Sequence, residues 1–147
     1  MHGQIVQAKF KFLIAMAHFS PLKVFVVDDD FAFGKKISQH LNTNASYQVT
    51  SFNNGEDCIS HLNDSPDVVI VDYHLDGISK TVSNGMVILE NIKKYDPSIH
   101  VIMLTSLNHY GVAAQTISKG AEQCVIKDDD ALKNIDMILE DIKKENI

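Results

Sequence analysis

A chain of 147 residues, 45% of them hydrophobic, is long enough for one domain with its own core. Its nineteen acidic residues outnumber thirteen basic ones for a formal net charge of −6, and no basic cluster interleaves with aromatics. Both features argue against direct nucleic-acid binding. Cys58 and Cys124 lie in apolar surroundings without C-x-x-C spacing, so free buried thiols in a cytoplasmic protein are expected, with no disulfide or thiolate metal site. The seven histidines show no metal-type spacing and read as surface or satisfied core residues.

Residues 1–22 read as an N-terminal extension of unassigned role, followed by one domain over 23–147. Lys9 and Lys11 precede the apolar run Phe12-Leu13-Ile14-Ala15-Met16-Ala17, which is short for a secretory signal core and far short of a membrane span. A weakly ordered or partner-packing arm is expected, with no chemistry and no membrane partner.

From Lys23 the pattern becomes regular. Lys23–Val27 is a buried strand closing on Asp28-Asp29-Asp30, and Phe31–Leu41 carries helical spacing through Phe33, Ile37 and Leu41. Tyr47–Phe52 alternates as a second strand. After the turn at Asn53-Asn54-Gly55, Glu56–Asn63 makes a short helix with Cys58, Ile59 and Leu62 inward. Pro66 introduces Val68-Val69-Ile70-Val71, four β-branched residues in a row that suit a strand buried on both faces of a parallel sheet. That run stops on Asp72.

A loop rich in Asp, Gly and Ser runs from Tyr73 to Ser83. Asn84-Gly85 opens a helix with Met86, Ile88, Leu89 and Ile92 apolar, closing at Tyr95-Asp96-Pro97. The fourth strand, His100–Leu104, ends on Thr105-Ser106. A helix over about 110–119 stops at Gly120, as a residue just past a helix end should. The fifth strand, Gln123–Ile126, ends on Lys127. Asp128 to Asp130 cap a last helix with Ala131, Leu132, Ile135, Ile138, Leu139 and Ile142 on one stripe. Five strands alternating with five helices predict an α/β fold with a parallel sheet.

The chemistry gathers at strand ends: Asp28 and Asp29, Asp72, Thr105 and Lys127. In a parallel sheet these ends share one edge, where open α/β sheets bind ligands. Clustered carboxylates repel one another unless a cation offsets them, and an oxygen-rich site of this type suits Mg²⁺ with a phosphate oxygen. A lysine and a hydroxyl beside it supply charge and a hydrogen bond to a transferring phosphoryl group, and a free carboxylate can become an acyl phosphate.

VFVVDDD, VVIVDYHLDG, VIMLTS and CVIK, in this order and spacing, resemble the receiver domain of two-component response regulators. The resemblance runs from about Lys23 to Asn146. It implies a flavodoxin-like (βα)5 doubly wound sheet with strand order 2-1-3-4-5, the order of the family's chemotaxis member. It also implies Asp72 as phospho-acceptor, with Thr105 and Lys127 contacting the phosphoryl group. Mg²⁺ would be held by Asp28, Asp29, Asp72 and the His74 backbone carbonyl. Asp30 is the neighbour with which the acidic pair can be confused by one residue of register. His74 and Leu107 would flank the acceptor and control attacking water. Implied partners are a histidine kinase or histidine phosphotransfer protein and a downstream protein target.

Four positions depart from the family pattern. Asp128 stands where a proline usually follows the lysine through a cis peptide, so a trans or rearranged turn is expected. Cys124 replaces the switch aromatic, Asp76 replaces a proline, and the loop to Asn84-Gly85 is long. Two other functions keep a place: a phosphorylation-independent scaffold on the same fold, and a phosphatase resembling the haloacid dehalogenases with Asp28 as nucleophile.

Overall fold

The computed structural model describes residues 2–18, 20–75, 85–106 and 110–145. Five parallel strands, β1 (Leu22–Val27), β2 (Tyr47–Phe52), β3 (Val68–Asp72), β4 (His100–Thr105) and β5 (Gln123–Ile126), form one sheet in the order β2-β1-β3-β4-β5. The helices are α1 (His2–His18), α2 (Phe31–Asn42), α3 (Gly55–Ser60), α4 (Gly85–Tyr95), α5 (Tyr110–Ser118) and α6 (Ala131–Glu145).

Strand side chains alternate between faces, and the core divides accordingly. Val24, Val26, Val68, Ile70, Ile102 and Leu104 pack with Ile37 and Leu41 of α2 and Ile135, Leu139 and Ile142 of α6. Phe25, Val27, Val69, Val71, Val101 and Met103 pack on the other face with Cys58 of α3 and Ile88, Leu89 and Ile92 of α4. Every residue of β3 is buried, as a strand covered on both faces requires. Of the described α5 side chains only Thr116 is buried.

Local signals explain the boundaries. Asp30 accepts hydrogen bonds from the Ala32 and Phe33 amides and so caps α2. Asn54 caps α3 through the Asp57 amide. Gly120 ends α5 at φ 105°, with its amide bonded to Ile117 O and that of Ala121 to Thr116 O, the paired bonds that close many helix ends.

The structure corrects several expectations. The helix expected over Glu56–Asn63 ends at Ser60 and passes into a 3₁₀ turn at Leu62–Asp64, closed by Ser65 at φ 61°. β1 starts one residue early at Leu22, and β4 extends through Thr105. Cys58 is fully buried, whereas Cys124 is only half-buried. The first segment, for which no secondary structure was assigned from sequence, is helical over His2–His18. Asp76, Asn84, Leu107 and His109 lie outside the described residues. No helix of the described residues is long and apolar enough to cross a membrane.

Candidate functional site

Strand register brings the site together. Val27 pairs with Val71, so Asp28 and Asp72 leave adjacent strands at the same level. Leu104 pairs with Asp72, and Thr105 pairs with Ile126, which places Thr105 and Lys127 one step further along the same edge. The backbone tightens this edge: Tyr73 N donates to Leu104 O at 2.7 Å, and Lys127 N donates to Thr105 O at 2.8 Å. Asp28, Asp72 and Thr105 are each no more than 3% exposed.

The Lys127 ammonium lies 3.0 Å from Asp72 Oδ2 and 2.9 Å from Asp28 Oδ2, bridging the two acids. It also sits 4.9 Å from the centre of the Phe33 ring. The contact to Asp72 is a hydrogen bond. The contact to Asp28 is an ion pair at short range, and Oδ2 of Asp28 has no aligned hydrogen-bond donor. Asp28 Oδ1 accepts from the Asp30 amide at 2.9 Å, and Asp72 Oδ1 accepts from the His74 amide at 3.2 Å.

Burial is the main force pushing the Asp28 carboxyl up to about 6. The charge of Asp72 adds to it, while Lys127 and the Asp30 amide oppose it. For Lys127, burial works to lower the pKa but is outweighed by its bonds and charge contacts with Asp28 and Asp72, which hold it above the ordinary value. A buried lysine between two carboxylates is thus charged, and one of those carboxylates resists ionisation.

The donor set fits a hard divalent cation. Asp28, Asp29 and Asp72 each offer an oxygen, and the three lie within 4.8 Å of one another. Three carboxylates share the one Lys127 ammonium here, and Asp28 Oδ2 has no aligned donor, an imbalance of charge that a bound Mg²⁺ would offset. Asp29 is exposed and can reach such an ion from solvent, whereas Asp30 is committed to the α2 cap. With Asp30 taken up by the cap, Asp28 and Asp29 are the members of the Asp run that stand in the cluster with Asp72. His74 has an exposed side chain, with its amide turned to Asp72.

Sequence reasoning missed Gly85. A Cβ there would stand 2.3 Å from Asp72 O and 2.7 Å from Tyr73 Cα, so only glycine lets α4 start directly against the end of β3. The Asn84-Gly85 pair signalled a helix start, but nothing in it signalled this close approach. The Lys127–Asp128 peptide is trans, since the described residues contain no cis bond.

A doubly wound sheet in the order 2-1-3-4-5, with acids, a threonine and a lysine at its carboxyl edge, defines a flavodoxin-like signalling fold of the receiver type. The chain belongs to the response regulator receiver domain family, whose model matches residues 24–142. It is 27% identical to chemotaxis protein CheY of Listeria monocytogenes over 124 residues, 84% of this chain and 97% of that protein. It is 28% identical to response regulator protein VraR of Staphylococcus saprophyticus over 73% of this chain, but spans only half of VraR's length. Among solved structures, the BeF3-activated DrrB receiver domain is 31% identical with a TM-score of 0.67, covering 82% of this chain and 99% of that one. A Francisella receiver domain, 19% identical with a TM-score of 0.74 over 87% of this chain and all of its own, shares the fold.

Proposed function

We propose that this receiver is a phosphorylation-dependent switch of a cytoplasmic two-component phosphorelay, with Asp72 as the acceptor. The observation that carries this reading is the Lys127 bridge between Asp28 and Asp72, which brings a charged amine to the one buried acid that ends the central strand. The donor is a phosphohistidine of a histidine kinase or phosphotransfer protein. An Asp72 oxygen forms the new P–O bond as the donor's P–N bond breaks and the imidazole leaves. Lys127 then exchanges its carboxylate contact for a phosphoryl oxygen, and the Thr105 hydroxyl donates to another. Asp28, Asp29, Asp72 and the His74 carbonyl hold Mg²⁺, which when bound offsets the charge gathered on the phosphoryl oxygens. The output is a change of contact with a downstream protein; phosphorylation and hydrolysis are self-catalysed steps of a switch, not the activity of an enzyme on a substrate pool.

Acetyl phosphate with Mg²⁺ tests this. The expected result is a mass increase of one phosphoryl group that Asp72→Asn abolishes and that Asp28→Asn or Asp29→Asn weakens, with partial rescue at high Mg²⁺. Full labelling of Asp72→Asn, mapped to Asp28, rejects the mechanism. One observation favours a second reading as a phosphorylation-independent scaffold: half-buried Cys124 occupies the switch-aromatic position and cannot swing as a ring does. Failure of every phosphodonor to label the parent, despite Mg²⁺ binding, supports that reading.

A further inference from the structure

The edge of the sheet opposite Asp72 carries a second group of ligating side chains. His100 opens β4, Glu122 stands just before β5, and Glu145 ends α6. Each offers one donor atom, and the three atoms lie within 4.8 Å of one another. β4 runs six residues from His100 to Thr105, so roughly 17 Å separates this group from the Asp72 edge. In sequence the three stand 22 and 23 positions apart, which hides them from any motif of local spacing.

The donors rest on fixed backbone, which suits a metal site. His100 N donates to Asp67 O at 3.0 Å, and Glu122 N donates to Val101 O at 2.7 Å. The partly buried imidazole meets Glu122 through Nδ1 and Oε1, so these two groups already converge. Glu145 comes from the last turn of α6, a helix anchored in the core by Ile135, Leu139 and Ile142. Two carboxylates thus face one imidazole. Lys93 is near enough to feel the Glu122 charge, yet its ammonium is bonded to the Ile99 and Pro97 carbonyls at 2.6 and 3.3 Å. The donor types select among metals. Mg²⁺ and Ca²⁺ take oxygen ligands, whereas imidazole suits Zn²⁺ and its neighbours in the first row. Zn²⁺ accepts three protein ligands of these kinds with water as the fourth.

We propose that His100, Glu122 and Glu145 form a Zn²⁺ site, with the imidazole and one oxygen of each carboxylate as ligands and water completing the tetrahedron. The metal takes the place of the direct His100–Glu122 contact. It ties the end of α6 to the entries of β4 and β5, and it is separate from the Mg²⁺ donor set at the other edge.

The test is calorimetric titration of the full chain with zinc chloride in excess Mg²⁺, a competitor for the oxygen-only edge, with the imidazole NMR signals of His100 followed in parallel. The expected result is one Zn²⁺ per chain, a shift of the His100 signals on binding, and a higher melting temperature. His100→Gln and Glu145→Gln should each weaken binding by roughly tenfold or more. Glu145 is exposed, so its substitution leaves the fold intact and keeps the test sound should His100→Gln fail to fold. Asp72→Asn should leave the titration unchanged. No Zn²⁺ binding by the parent, full binding by Glu145→Gln, or binding lost in Asp72→Asn overturns the proposal. Acetyl phosphate labelling is independent of the Glu145 result, so failure here leaves the reading of Asp72 intact.

Discussion

Neutralising Asp28 should stabilise the cation-free protein, a result opposite to that expected for removing half of an ordinary buried ion pair. Its pKa rises from 3.8 to about 6 on folding. A carboxyl with a raised folded-state pKa favours folding fully only below its unfolded value, and that contribution is lost as pH rises through 6. The loss is about 3 kcal/mol by pH 8, from roughly two pK units at 1.36 kcal/mol each. Asp28→Asn removes the loss but weakens one contact of Lys127, which keeps its hydrogen bond to Asp72. The net gain should be about 1–2 kcal/mol, or roughly 3–8 °C in Tm. Thermal unfolding in EDTA at pH 8 and pH 4.5 measures it. The variant should melt higher at pH 8, with the advantage gone or reversed at pH 4.5, and Mg²⁺ should raise the parent far more than the variant. A variant that melts lower at pH 8, or a pH-independent difference, would refute the reasoning.

Gly85→Ala should cost about 2–3 kcal/mol in denaturant unfolding and slow acetyl phosphate labelling, because its Cβ must displace the Asp72 carbonyl. The Cys58 thiol, pushed up to about 12 by burial, should resist iodoacetamide at pH 8 until the chain is unfolded, while half-buried Cys124 reacts first. Leu139→Ala should destabilise by about 2–5 kcal/mol, since Leu139 is fully buried between α6 and the sheet. Beryllofluoride with Mg²⁺ should change amide exchange in α5, which buries only Thr116 among its described side chains; protection confined to β5 around Cys124 would count against this.

Much of the fold was legible because strand and helix periods are written in local sequence. The β-branched run at Val68–Val71, the helical stripes in α4 and α6, and Gly120 after α5 each act over a few residues. The strand-end positions of Asp28, Asp72, Thr105 and Lys127 followed from the same reading, since a parallel sheet puts such ends on one edge. The choice of metal-facing acids did not follow from it. Three adjacent aspartates have the same local chemistry, and only the α2 cap assigns Asp30 elsewhere. The double contact of Lys127 depends on packing of strands separated in sequence, as does the clearance that makes Gly85 obligatory. For α1 the sequence supplied an apolar run and two lysines, but exposure is a property of what the rest of the chain leaves uncovered. Both faces of the sheet are already filled by α2 to α6, and so the described α1 side chains remain outside the core.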